Sequence, residues 1–219
     1  MSKNPFEQVI FGVYEILSDI LPGFILLTTI LFFYDISIPS SIPTSLHAIL
    51  LIFLAFIIGQ VIHCISSELE RYINRWKYGG YPSALYMTDD DNTFPQYFKD
   101  KIRKQLKIDY ETPLDSEPQH IFEMCYTYVT QNNISNRVMI FLNMYTFSRN
   151  IMLVILIEGI FLATVASIKY DVLLGLLATL TLISSFFFYH RFITYAESFA
   201  KEVFRSYFVN KVGKENQEG

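Results

Sequence analysis

The chain has little of what marks a disulfide module or a familiar catalyst. Two cysteines, Cys64 and Cys125, occur in 219 residues, far apart and without C-x-x-C spacing. That excludes a disulfide framework and a cysteine-based zinc module, and both read as reduced core residues in apolar helical surroundings. There is no G-x-x-x-x-G-K-[ST] loop, no G-x-S-x-G elbow and no H-E-x-x-H pair, so phosphate-loop, hydrolase-elbow and zincin chemistry lack their groups. None of Arg71, Arg75, Arg103, Arg137, Arg149 or Arg191 is followed four to six residues later by the histidine that a helical HEPN ribonuclease requires. Two-residue alternation bounded by tight glycine turns, the signature of a sheet, is missing too. Charge is scarce, with 17% charged residues and a net charge of -4 at pH 7, which argues against bulk affinity for nucleic acid. An enzyme is left open but unsupported.

What the chain has is apolar bulk. It is 52% hydrophobic and 16% aromatic with a mean hydropathy of +0.30, too apolar for disorder and high for a soluble domain. The excess lies in a few long blocks. One uninterrupted stretch, 136–168, contains no proline, and its second half, IMLVILIEGIFLATVASI, is apolar on every side except at Glu158. A helix there has lipid and other helices for solvent.

Four spans follow, at about 18–36, 46–65, 150–168 and 172–190. Before the first, Phe6, Val9, Ile10, Val13, Ile16 and Leu17 fall at helical spacing and predict an interfacial helix over the first residues, turned into the membrane by a kink at Leu21-Pro22-Gly23. A cleaved secretory signal fits less well, because the N-terminal flank has a single Lys3, Glu15 and Asp19 precede the apolar run, and no A-x-A site follows. The proline-bearing stretch 35–45 and the turn Lys169-Tyr170-Asp171 are external loops. Between spans two and three lies a helical insert, 68–149, broken by Gly79, Gly80 and Pro82. Within it Thr93 is expected to cap one helix, Ser116 to cap a second, and Asn132-Asn133 to close the latter. The expected fold class is thus an all-α integral membrane protein, divided into 1–67, the insert 68–149, the span pair 150–190 and an amphipathic helix with a polar tail over 191–219. In that last helix Phe192, Tyr195, Ala196, Phe199, Val203 and Tyr207 share one stripe, which a cytosolic partner could occupy, and Glu197 and Lys201 form an i,i+4 pair.

Ten of the 17 basic residues lie between Arg71 and Arg149, and of the two external loops only the second carries one, Lys169. This imbalance puts both termini and the insert in the cytosol.

Candidate sites are few. Glu158 is the oddest residue, since a carboxylate at mid-membrane costs several kcal/mol unless it faces a bundle or water, or is protonated. Thr181 of the fourth span falls at its depth, with Thr28 and Thr29 of the first span near by. Such a set suits either an ion path or a hydrogen-bonded packing contact beside the small-residue pair Gly159 and Ala163. A second cluster gathers at the cytosolic ends of the spans, where Gln60, His63, Cys64, Arg149, Asn150, His190 and Arg191 suit a headgroup or a metal, or serve as ordinary snorkelling and interfacial anchors. His120 and Glu123 share a helix face but lack the further ligand that a metal needs. Asp89-Asp90-Asp91-Asn92 lacks the glycine and glutamate of a calcium loop and reads as a solvated turn. Lys99, Lys101, Arg103, Lys104 and Lys107, interleaved with Tyr97 and Phe98, form a basic helix that is either a solvated face or a contact for RNA or anionic lipid. No cofactor is called for.

The layout, with a first helix ending in Leu21-Pro22-Gly23, paired spans, a helical insert and a helical tail, resembles the small membrane accessory proteins of prokaryotic phage-defence systems. Four-span partners of the Kiwa system and of type VI CRISPR loci are among them. The resemblance implies a membrane-embedded homo-oligomer that works with a cytosolic protein partner to sense infection or to compromise the membrane, and it transfers no functional residues. The expectation is therefore a non-enzymatic membrane component of a defence or stress-response complex. The alternatives are a channel or transporter with Glu158 in its path, and a membrane-bound enzyme with a cytosolic-face site.

Overall fold

The computed structural model describes residues 5–33, 43–110 and 117–213, with the side chains of 5–17, 44 and 212 set aside. The expectations for Lys3, for the hydrophobic face of the first 17 residues, for the end of the first span and the loop through residue 42, for Ser116 and for the last six residues lie outside that description.

The described residues are helical throughout, with no strand among them. Helices α1 (Pro5–Phe33), α2 (Thr44–Tyr78), α3 (Pro82–Leu85), α4 (Gln96–Tyr110), α5 (Pro118–Gln131), α6 (Asn136–Lys169) and α7 (Val172–Tyr207) run in chain order, and Phe208–Val212 continues α7 as a π-helical turn. By length and composition α2, α6 and α7 are each able to cross a membrane, while Ser18–Phe33 of α1 forms a shorter apolar helix. The long uninterrupted stretch predicted from 136 to 168 is one helix of 34 residues, roughly 51 Å at 1.5 Å per residue. The chain divides into two compact units, 1–70 with 143–193 and 71–142 with 194–219.

In the first unit, α1 and α2 meet backbone to backbone. A Cβ on Gly23 would sit 1.8 Å from the carbonyl oxygen of Ala55, and one on Gly59 would sit 1.9 Å from that of Asp19. Only a missing side chain permits this approach, the geometry of small-residue crossings in membranes. At Leu21-Pro22-Gly23, where a kink or corner is expected, α1 continues through Pro22 without a break. Pro22 has no N–H to give to the carbonyl of Ser18, and the side-chain amide of Asn150 on α6 donates there instead, at 3.1 Å.

Helix α6 is the inner member of this unit. A third of its apolar window is buried (33%), against 17% for α2 and 11% for α7, and the five consecutive residues Asn150–Val154 are all buried. At Gly159 a Cβ would meet the Leu182 side chain at 2.7 Å, and Ser185 of α7 donates to the carbonyl of Met152 at 3.1 Å. Outward, Ile49, Phe53, Leu173, Leu180, Phe186 and Phe187 are exposed. A water-facing surface of that kind is unfavourable, and lipid or another subunit resolves it.

The second unit is a helical core. Phe98, Ile102, Leu106, Phe122, Cys125 and Phe204 are among its buried side chains, and Phe94 stacks on Phe98 with centroids 4.5 Å apart. Phe199, Val203 and Tyr207 of the α7 stripe are part of this core rather than an open docking face. Val203 and Tyr207 are fully buried, and Phe199 packs edge-on against Phe122 and Tyr126. Burial holds the Cys125 thiol well above its ordinary range, consistent with a reduced packing residue. Helix α4 starts at Gln96 without a Thr93 cap, because the Thr93 amide and hydroxyl both turn back to Asp91. Asn132 caps α5 and Asn133 follows with φ 49°, as the Asn132-Asn133 pair predicts. Helix α2 ends where Gly79 takes φ 70°, three residues beyond the one tryptophan, Trp76, which is 85% exposed.

The crossing predicts the effect of filling it. Gly59→Val should destabilise the protein by more than about 2 kcal/mol, read in circular dichroism melts in detergent. Gly175→Ala, with nothing within 4 Å of its added carbon, should be neutral or stabilise by up to about 1 kcal/mol. A Gly59→Val protein that melts like wild type would contradict the close approach.

Candidate functional site

Because α1 and α2 touch at glycine distance, the side chains just before the contact on α1 and just after it on α2 reach one another, and α6 closes the third side. Asp19 accepts from Gln60 Nε2 at 2.9 Å and lies 3.3 Å from His63 Nδ1. Arg149 Nη2 is 3.4 Å from His63 Nε2, its Nε donates to Ser66 Oγ at 3.1 Å, and its Nη1 pairs with Glu70. Ser66 in turn donates to Asn150 Oδ1 at 2.5 Å, and Asn150 returns to the Ser18 carbonyl. The Tyr145 ring lies 5.6 Å from the Arg149 guanidinium carbon.

Four residues expected at one membrane face, Gln60, His63, Arg149 and Asn150, are thus brought together. The other three are not linked to them by these contacts. His190 is exposed, with edge contacts to Phe186 and Tyr189, and Arg191 is exposed on α7. Cys64 is exposed as well. Three members of the network, Asp19, Ser66 and Glu70, were not in the sequence-based set. Their signal is present in part, since Gln60, His63, Ser66 and Glu70 fall within one stripe of α2 at 100° per residue. Glu70 also reads as a sign of water, and only the partner helix reveals that it is buried.

Chemically this is a closed arrangement. Arg149 and Glu70 are each 5% exposed and Ser66 and Asn150 are fully buried. A guanidinium whose Nε and both terminal nitrogens face protein groups is poorly placed to take a headgroup phosphate. The Ser66 hydroxyl is fully buried and already serves three neighbours. The arrangement ties three helices together.

On α6 the structure selects the partner of Glu158. Thr29 of α1 donates to its Oε1 at 2.6 Å. Thr181 turns to the carbonyl of Leu177 in its own helix, and Thr28 likewise to Phe24 and Ile25. Between α1 and α6 a cavity of about 210 Å³ is lined by Leu26, Thr29, Ile30, Ile157, Glu158 and Phe161.

The remaining candidates divide. Lys99 is buried and donates to the carbonyls of Thr88 and Asp91, and Arg103 donates to the carbonyl of Met87 and to Asp89. That leaves Lys101, Lys104 and Lys107 exposed, so two of the five cations of the basic helix are engaged inside the fold. The acidic run is a turn built on Asp91, and hydrogen bonds from Gln96 and then Arg103 hold the Asp89 carboxyl below its usual range. His120 Nδ1 lies 4.0 Å from Glu123 in solvent, and no group of three metal-ligating side chains occurs among the described residues. Glu197 and Lys201 make the expected i,i+4 contact at 3.7 Å.

No protein-family model, no curated protein and no solved structure matches this chain.

Two outcomes test the network. Glu70→Ala should cost about 3–5 kcal/mol by stranding a buried guanidinium, and adding Arg149→Met should recover part of it. Asn150→Ala withdraws a buried donor and should cost about 1–3 kcal/mol. That cost should shrink in a Pro22→Ala background, where residue 22 regains an N–H for Ser18. Equal costs in both backgrounds, read from a double-mutant cycle, would reject the link between Pro22 and Asn150.

Proposed function

We propose that the protein is a four-span integral membrane protein of the cytoplasmic membrane, with both termini and the insert 68–149 in the cytosol. It acts without catalysis, as a homo-oligomeric membrane component of a prokaryotic defence or stress-response complex. One observation carries this reading: the polar side chains best placed for chemistry in the apolar unit are consumed by one another, while apolar side chains of α2 and α7 face outward. Such a surface works through what it touches, lipid and other subunits, rather than through a reaction. Ser18–Phe33 is the described part of the first span of this reading. The concentration of Lys and Arg in 71–149 supports the orientation, and the defence assignment follows the architectural resemblance. A cytosolic partner would dock on the exposed surface of the second unit, where Lys101, Lys104 and Lys107 also leave room for an acidic partner or RNA.

The Glu158 and Thr29 pair favours a second reading, a channel or transporter with Glu158 in the path, because an intramembrane carboxylate beside a cavity is a functional group by default.

Topology and assembly are tested together. In a Cys64→Ser/Cys125→Ser background, Tyr170→Cys should react with an impermeant maleimide from outside the cell, and Arg205→Cys only after permeabilisation. The nanodisc-embedded protein should have a native mass of several protomers, and cells carrying it with its native locus should depolarise on phage challenge. Labelling of both positions from outside would refute the topology, a monomer would refute the oligomer, and unaltered infection would refute the defence role.

A further inference from the structure

We propose that the cavity beside Glu158 is a binding site for an organic ammonium head carried on an apolar chain and drawn from the hydrocarbon phase. The inference rests on the membrane-spanning reading of α1 and α6 and deepens it by assigning a ligand class.

Glu158 stands eleven residues inside Lys169, the end of α6. At 1.5 Å per residue that is about 16 Å, close to the middle of a hydrocarbon layer about 30 Å thick. A carboxylate at that depth calls for a counter-charge. The described residues provide a hydroxyl and no cation: Thr29 donates to Oε1, and Glu158 is the only titratable side chain lining the cavity. Leu26 and Ile30 from α1, and Ile157 and Phe161 from α6, form the rest of the wall. At Gly159, the residue after Glu158, the contact from α7 is apolar Leu182.

These walls discriminate among cations. A calcium or magnesium ion needs six or more oxygens, and here it would find two from the carboxyl and one from a hydroxyl. A quaternary or tertiary ammonium needs no such shell. Its charge is spread over apolar substituents that suit Leu26, Ile30 and Ile157, and Phe161 adds an aromatic ring to the wall. The volume of about 210 Å³ accommodates a compact head. Host-lipid headgroups are excluded by depth, since they lie about 15 Å away at the interface. The ligand class is thus a free amphiphilic amine whose tail remains among the lipid chains, with Glu158 as the charge partner and Thr29 orienting it.

The test uses wild-type protein in phosphatidylglycerol nanodiscs, which contain no lipid amine. Dicyclohexylcarbodiimide partitions into bilayers and modifies carboxyls there, and mass spectrometry of the peptide carrying Glu158 gives the rate. Dodecyltrimethylammonium, which has no nucleophile to consume the reagent, should slow modification of Glu158 at least about fivefold. Dodecanol, uncharged, and tetraphenylphosphonium, a bulkier cation, should leave the rate within about twofold. Thr29→Val should weaken the protection, and Thr181→Val, outside the cavity, should not. The proposal is overturned if Glu158 is not modified, if dodecyltrimethylammonium gives no protection, or if all three compounds protect alike. Carbonate extraction of the same protein from membranes reports separately on whether the helices are inserted, so failure of the site and failure of the membrane reading are distinguishable.

Discussion

The contact on which the first unit depends is the approach of two helix backbones at Gly23 and Gly59. Hydrocarbon gives helices no hydrophobic reason to associate, so close packing and buried hydrogen bonds must hold them. With no Cβ between them, α1 and α2 come near enough for Asp19 to reach Gln60 and His63. One added methyl group at either position would lengthen every one of those contacts.

The polar network follows from that approach and from the chemistry of proline. A proline inside an apolar helix leaves a carbonyl without its usual donor, and water is not at hand to replace it. Asn150 does so from α6, and its neighbour Arg149 reaches Glu70 and Ser66 on α2. Buried ion pairs add little net stability relative to apolar packing, because desolvation offsets attraction. What they add is a strong preference for one arrangement, since any sliding of α6 along α1 and α2 would separate charges inside a poorly solvating interior. The network is therefore better understood as setting register than as adding strength.

Much of the fold was legible from the sequence, and the parts that were not share a cause. Helix α6 could be read to within a residue of its ends because nothing in it opposes a helix, and the turn at Lys169-Tyr170-Asp171 because apolar character stops there. Gln60, His63, Arg149 and Asn150 could be grouped from depth alone. Depth does not specify azimuth, which is why Thr181 looked as good a partner for Glu158 as Thr29. Pro22 looked like a corner because the donor that accommodates it lies 128 residues further on. Lys99 looked like a surface charge because helical spacing does not show that two loop carbonyls wait above it. The stripe on α7 could be seen, but whether it meets another protein or its own α5 is a tertiary fact.

The exposed position of Trp76 bears on how this protein's stability can be observed. Because the only indole in the chain already stands in solvent, its emission has little left to change when the helices come apart. A denaturation followed at that wavelength would trace a nearly flat line through a real transition. The tyrosines and phenylalanines crowded in the second unit, together with backbone helicity, are the intrinsic signals that follow its loss of structure.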